Sequence, residues 1–143
     1  MKTRMTVIVL TALFVGVVVA GCATTGRQAQ TPEEAIQAGL EDWQTAMKNQ
    51  DIEGIMALFS EQFEHFDWRD KASARRFIQE AMDIGYLDDV VINLDNSAIK
   101  VDGGMASVYP VEISGAFGTL SMELFLTLEN GNWLLTGLDA PGM

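Results

Sequence analysis

The spacing of apolar residues predicts three helices in the first half of the folded region. Thr31-Pro32-Glu33-Glu34 has the form of a capping box with Pro at the first helical position, so the first helix begins there and ends near Asn49. Asp51 and Asp70 are suited to cap a second and a third helix, and the third ends near Gly85. The predicted buried stripes are Ile36, Leu40, Trp43 and Met47, then Ile52, Ile55, Met56 and Phe59, and finally Phe77, Ile78, Ala81 and Met82.

The second half of the chain changes to a period of two, which is typical of strands. Asp102-Gly103-Gly104 and Asn130-Gly131 are turn signals between these segments, and Pro110 predicts an edge, a bulge or a bend in the third strand. Helices followed by hairpins predict an α+β fold, with three helices on one face of a curved antiparallel sheet in meander order. The predicted strands are 90–94, 98–102, 105–114, 119–129 and 133–138, and 63–68 is predicted as a short extended segment.

The N-terminus has the form of an export signal, and the four residues at its end carry a more specific resemblance. Lys2 and Arg4 precede an apolar run, 5–19, that is shorter than a comfortable membrane span. Val19-Ala20-Gly21-Cys22 resembles the lipobox of bacterial lipoproteins, which implies cleavage after residue 21 and acylation of Cys22. An uncleaved signal anchor is the alternative. The predicted organisation is a signal peptide at 1–21, a lipidated Cys and tether at 22–30, and one domain at 31–143.

Lipidation implies a location and a first partner, the lipid bilayer, reached through acylated Cys22. In bacteria with two membranes, the family's sorting rule and Ala23 together imply the periplasmic face of the outer membrane. Residues 23–30 are small and polar without periodicity, as in a flexible tether.

Composition removes several classes of function. The 143 residues carry 9 Lys and Arg against 20 Asp and Glu, a net charge of −11, which opposes nucleic-acid binding. One Cys and one His exclude an internal disulfide and a Cys/His zinc cage, so no metal site is predicted. Since phosphate-loop, His-Glu-x-x-His and Cys-x-x-Cys motifs are missing from the sequence, no cofactor is predicted either.

Three short segments of the sequence resemble segments that recur in the nuclear transport factor 2-like superfamily, also described as SnoaL-like or cystatin-like. They are the segments 51–59, 101–106 and 130–135, and the resemblance extends over about Thr31 to Asp139. It implies a conical pocket between the first helix, the third helix and the concave sheet, a pocket that serves both enzymes and members without known activity. The residues proposed to line this pocket are Trp43, Met47, Phe63, Tyr86 and Tyr109.

Asp67 and His65 are the candidate catalytic residues. Counted from Asp51, Asp67 falls where the ketosteroid isomerase branch of the superfamily places its general-base aspartate, and in an extended segment His65 faces the same side. By the same count Trp43 replaces the tyrosine that holds the oxyanion, which argues against isomerase activity. The plainer interpretation of Asp67 is a loop carboxylate that pairs with Arg69 or caps the next turn.

The last predicted strand is apolar on both faces, and this predicts a homodimer through the sheet. Trp133 and Leu135 are assigned to one face and Leu134 and Leu138 to the other, while helices cover only one. Three hypotheses remain for function: a lipid-anchored domain that binds a small apolar ligand or a protein partner without chemistry, a proton-transfer enzyme that uses Asp67, and a structural envelope lipoprotein. Binding without chemistry is the leading hypothesis, and the expectation is that the chain is not an enzyme.

Overall fold

The computed structural model describes residues 30–140 as an α+β fold, in which helices pack on a curved antiparallel sheet of five strands. This confirms the predicted fold class. The predicted signal peptide, Cys22, Ala23 and the tether up to residue 29 lie outside the described residues. The elements are α1 (Pro32–Lys48), α2 (Ile52–Ala57), α3 (Lys71–Asp83), β1 (Val91–Asn93), β2 (Ala98–Asp102), β3 (Met105–Gly115), β4 (Gly118–Glu129) and β5 (Asn132–Asp139).

Each helix begins at the cap that the sequence predicts. The Thr31 hydroxyl accepts a hydrogen bond from the Glu34 backbone N–H at 3.2 Å, while the Thr31 N–H donates to the Glu34 carboxylate at 2.9 Å. Asp51 accepts from the Gly54 N–H at 3.1 Å, and Asp70 accepts from the Ser73 N–H at 2.8 Å. These side chains satisfy backbone donors that a helix cannot pair internally, which fixes where each helix starts.

Gly54 allows α2 to pack closely against α1. A Cβ atom at this position would lie 2.8 Å from the Ala46 Cβ and 2.7 Å from an oxygen of Asp51. The glycine therefore weakens α2 as an isolated helix but lets the two helix backbones approach.

The sheet has the order β1-β3-β4-β5, and β2 also pairs with β3. β1 pairs with the C-terminal part of β3 and β2 with its N-terminal part, so both short strands share one edge of the longer strand. The predicted meander is wrong at this point, because β1 and β2 do not pair with each other. The hairpins from β2 to β5 are antiparallel, as predicted.

Two irregularities in the sheet register change which face a side chain occupies. The β3–β4 register shifts between Val108 and Val111, which confirms the bulge predicted from Pro110. In β5 the register shifts at Thr136, so that Leu138 pairs with Leu124 on the face that the helices cover. The assignment of Leu138 to the outer face was therefore wrong, because one extra residue reverses the alternation.

The core lies between the helices and the inner face of the sheet, and it contains the predicted stripes of α1 and α2 nearly complete. Phe77 on α3 departs from prediction: it is 46% exposed, because its ring stacks on Trp68 outside the core. Leu128 continues the alternation of buried Leu124 and Leu126 on β4 but is exposed at the hairpin end of that strand.

Candidate functional site

The space between α1 and the sheet, where the resemblance implies a pocket, holds three of the five predicted lining residues. Trp43 and Met47 project from α1, and Phe63 follows α2; all three are buried in one hydrophobic cluster. The Phe63 ring meets Phe59 edge to face with centroids 4.8 Å apart. In the described residues this region is therefore an apolar interior filled by side chains.

One polar atom in this interior is unsatisfied. The indole nitrogen of Trp43 is buried, and no hydrogen-bond acceptor reaches it among residues 30–140. A buried donor without a partner costs about 1–3 kcal/mol, and native proteins rarely retain one. A hydrogen-bond acceptor supplied by another molecule would therefore lower the free energy of this interior most at the Trp43 N–H.

Four methionines surround the same interior. Met47, Met56, Met82 and Met122 are all buried, whereas Met105 is exposed. Methionine is unbranched and changes rotamer at low cost. A core rich in methionine can therefore rearrange around a bound ligand more easily than one built of β-branched residues.

The candidate catalytic residues lie in a tight loop and not in an extended segment. His65 and Arg69 pair across it: the Arg69 N–H donates to the His65 carbonyl at 2.8 Å, and the His65 N–H donates to the Arg69 carbonyl at 3.3 Å. The His65 Nδ1 also accepts from the backbone N–H groups of Asp67 at 3.2 Å and Trp68 at 3.4 Å. The prediction of an extended 63–68 segment holds only at its start, where the Glu64 N–H donates to the Thr136 carbonyl of β5.

This geometry gives Asp67 no enclosed site. Its side chain is exposed at the turn, and the Nδ1 atom of His65 is already engaged by the loop backbone. A general base of this kind depends on an apolar surrounding to raise its pKa towards neutrality. The arrangement therefore offers no support for Asp67 and His65 as an acid and base pair.

Tyr86 and Tyr109, the other predicted lining residues, lie away from the interior. Tyr86 follows α3, is 44% exposed and packs against Phe117 with ring centroids 5.4 Å apart. Tyr109 is 45% exposed on β3, on the face opposite buried Val108. The structure brings neither hydroxyl near Trp43.

Two open grooves run side by side along the outside of α1 and share Gln37 and Glu41. One has a volume of about 340 Å³ and is closed on its other side by residues 91–95 of the β1 region. The second, of about 400 Å³, reaches Ile99 of β2. Glu33, Glu34 and Glu41 make this surface acidic. The sequence did not predict either groove.

Within residues 30–140, no group of three or more His, Cys, Asp and Glu side chains is placed to hold a metal ion. Across the same residues, every helix is too short or too polar to span a membrane.

Comparison with known proteins supports the fold. No protein-family model and no curated protein sequence matches the chain. A protein of unknown function with a cystatin-like fold from Nostoc punctiforme superposes with a TM-score of 0.63 at 15% identity, over 79% of this chain and 96% of that one. The chain has a nuclear transport factor 2-like fold.

Two further solved structures show the same similarity. A nuclear transport factor 2-like protein of unknown function from Pseudomonas putida gives a TM-score of 0.63 at 15% identity, covering 73% of this chain and 82% of its own. A nuclear transport factor 2-like protein from Cytophaga hutchinsonii gives 0.59 at 14% identity, covering 80% and 100%. At these identities the comparison establishes the architecture, and function has to be argued from the residues of this chain.

Phe66 is the residue that sequence reasoning passed over. It stands between His65 and Asp67 at the tip of the loop, with 94% of its surface exposed. The sequence feature that could have identified Phe66 is a single large apolar residue between polar neighbours. The other aromatic side chains of the segment pack on one another.

Proposed function

We propose that this chain is an exported lipoprotein, acylated at Cys22, whose cone-shaped domain acts by binding and not by catalysis. The ligand class is a small, mostly apolar molecule that carries one hydrogen-bond acceptor. The lipobox-like Val19-Ala20-Gly21-Cys22 supports the anchor, and Ala23 supports the periplasmic face of the outer membrane.

The buried Trp43 N–H is the observation that carries the binding proposal. It is a donor in an apolar interior, at the place where the fold family has its pocket, and an acceptor on a ligand would satisfy it. A carbonyl or ether oxygen is sufficient, since a charged group would pay a large desolvation cost there. The four buried methionines supply the adaptability that entry of such a molecule requires.

Proton-transfer chemistry has less support than binding. It requires a carboxylate inside the interior, and Asp67 is exposed on a loop outside it. The bulk of Trp43 also occupies the position that the resemblance assigns to the oxyanion-holding tyrosine.

A structural lipoprotein with a permanently filled cone is the second candidate. The specific observation in its favour is that Trp43, Met47 and Phe63 already fill the described interior. In that case a single water molecule is enough to satisfy the Trp43 N–H.

A native mass spectrum of residues 23–143, purified gently from a bacterial periplasm, separates these candidates. The binding proposal expects additional mass from a co-purified small molecule, which Trp43→Phe removes because it keeps an aromatic ring but deletes the N–H. Leu124→Met, a volume-conserving change elsewhere in the buried sheet face, is the control that keeps the mass. A bare protein mass for the unchanged chain, together with unaltered stability on adding lipid extracts, supports the structural candidate instead.

The same spectrum reports oligomeric state. A homodimer through the outer face of the sheet is supported by Phe125 and Leu134, which the register places on that face, although Leu138 no longer contributes. A mass of one protomer at micromolar concentration contradicts the dimer.

Acylation has its own test in the full chain. Lipoprotein processing predicts that the protein from the envelope begins at Cys22 and carries diacylglycerol and an N-linked acyl chain in its intact mass. Cys22→Ser is expected to leave the precursor unprocessed. An unmodified Cys22 would contradict the anchor and leave the binding proposal standing.

A further inference from the structure

Phe66 is the most exposed large apolar side chain in the described part of the chain. It is 94% exposed, whereas the next, Ile84 at the other end of α3, is 78% exposed. Large aromatic side chains normally bury most of their surface. An almost completely solvated phenylalanine is therefore a candidate for a contact outside the domain, provided that neighbouring residues extend its apolar surface.

The loop holds Phe66 in this position with its backbone paired. Two hydrogen bonds between His65 and Arg69 close the loop, and the His65 Nδ1 accepts from two further N–H groups inside it. Arg69 adopts a φ of 61°, the left-handed region that side chains other than glycine seldom occupy. The tip is pre-formed, so a contact made through Phe66 needs little ordering of the chain.

A series of ring contacts supports the loop from beneath. His65 and Trp68 have centroids 4.6 Å apart, and Trp68 stacks on Phe77 at 4.9 Å. Trp68 is partly exposed and Phe77 is 46% exposed, so both rings present apolar surface at the base of the tip. The result is an apolar projection, a shape that can insert between the headgroups of a bilayer.

Charge distinguishes this end of the domain from the rest. Residues 61–76 contain four acidic and four basic side chains, whereas the other described residues contain sixteen acidic and two basic ones. Lys71 pairs with Glu61, and Arg75 pairs with Glu53. Among the described residues, Arg69 and Arg76 make no ion pair with a carboxylate, which leaves them able to meet phosphate groups.

We propose that the loop 65–69 inserts Phe66 into the interface of a phospholipid bilayer, so that the domain rests against the membrane that carries its acyl anchor. This inference depends on the proposed lipoprotein function for its biological setting. Cys22 precedes Thr31 by nine residues, which span at most about 30 Å when extended, so an acylated chain holds the domain close to the bilayer surface.

The electrostatics also favour this orientation. The strongly acidic remainder of the domain is repelled by anionic headgroups. The segment 61–76, which has no net charge, can approach the membrane surface with the least electrostatic repulsion. Trp68 would then lie at the headgroup level that tryptophan prefers, while Arg69 and Arg76 extend their charges to phosphates.

Flotation with phospholipid vesicles tests the loop separately from the anchor. The probe is the mature chain from position 22 carrying Cys22→Ser, mixed with vesicles of phosphatidylethanolamine and phosphatidylglycerol. We expect measurable binding, reduced about tenfold or more by Phe66→Ser, because burial of a phenylalanine side chain is worth at least that factor. Ile84→Ser is the matched control, an equally simple loss of exposed apolar surface that leaves binding unchanged.

A fluorescent label measures depth in the same background, which contains no other thiol. A polarity-sensitive dye on Phe66→Cys is expected to shift to the blue with vesicles and to be quenched by lipids brominated near the interface, whereas the dye on Ile84→Cys is not.

Three results would overturn the proposal: equal binding of the Phe66→Ser and Ile84→Ser variants, no blue shift at position 66, or a shift that needs whole envelopes and is missing with pure lipid. The last result identifies a protein as the occupant. Each is independent of the intact mass at Cys22, so failure of the loop contact and failure of the lipoprotein assignment remain distinguishable.

Discussion

The interior around Trp43 and the loop around Phe66 break opposite rules of protein architecture. Trp43 has a buried ring with a polar atom that finds no partner, whereas Phe66 has a solvated apolar ring on a loop in which the N–H groups of the other four residues are paired. Both conditions cost free energy in the isolated domain. Each would be relieved by a different class of molecule: the proposed ligand's hydrogen-bond acceptor inside the domain, and the proposed bilayer interface outside it.

The two aromatic residues also differ in how much they contribute to the stability of the fold. Trp43 belongs to the core and stabilises it despite its unpaired N–H, while Phe66 contributes almost nothing to the folded state. Mutational effects on stability and on binding should therefore separate cleanly between the two regions.

Truncation of the two rings gives the largest expected contrast. Trp43→Ala should lower the free energy of unfolding by about 3–5 kcal/mol, because it leaves a cavity in the core. Phe66→Ala should change it by less than about 0.5 kcal/mol, since the ring is solvated in the folded state. Urea denaturation followed by circular dichroism measures both, and a similar loss for the two variants would remove the distinction.

Alanine substitutions at two helix glycines test how closely the helices pack in the interior. Gly54→Ala should destabilise the domain by about 1–3 kcal/mol, because its new Cβ would lie 2.8 Å from the Ala46 Cβ. Gly39→Ala is the matched change in α1, where the nearest atom lies 3.9 Å from the new Cβ, and it should stabilise by about 0.5–1 kcal/mol. Thermal unfolding of both variants tests the sign, and two changes in the same direction would contradict the packing described.

Loss of the His65 imidazole should loosen the loop and leave the interior intact. His65→Ala removes an acceptor for two backbone N–H groups, at a cost of about 1 kcal/mol. Hydrogen exchange should accelerate at the amides of Asp67 and Trp68 and stay unchanged in α1. Glu64→Ala, with its exposed side chain, is the control; unchanged exchange at the two loop amides of His65→Ala would argue against the pairing.

The smallest expected effect is the acid sensitivity of the cap beside the loop. Hydrogen bonds from Ser73 hold the pKa of Asp70 below its ordinary value of 3.8. A carboxyl whose pKa is lowered by folding stabilises the folded state above its unfolded pKa, and that contribution disappears as the pH falls through the folded value. Between about pH 6 and about pH 3 the Tm of the unchanged chain should therefore fall by more than that of Asp70→Asn. Equal falls would show that this cap does not contribute.

Local chemistry explains what could be read from the sequence. Thr31, Asp51 and Asp70 cap their helices through bonds within four residues, so no knowledge of the fold was needed to place them. The alternation of β4 and the bulge at Pro110 are equally local. The fold class followed from the order of these elements.

The errors came from interactions between distant segments. The sharing of one edge of β3 by β1 and β2 depends on long-range register, and a single bulge at Thr136 turned Leu138 inward. Phe77 left the core to stack on Trp68, which no helical period predicts. For the site, Trp43, Met47 and Phe63 share the hydrophobic core, so their role in lining a pocket stays a prediction, whereas the loop closed by His65 and Arg69 turns Asp67 to solvent.

The segment that follows α2 also protects the sheet from self-association. Ser60 and Glu64 donate to β5 carbonyls, and the Leu135 N–H donates to Leu58, so this segment covers the free edge of β5. The opposite edge is divided between strands of three and five residues, and the second carries Lys100. Short, charged edges are poor templates for strand addition. If the chain is acylated as proposed, such blocking gains importance, because molecules held on a membrane surface meet often and an open edge would seed their polymerisation.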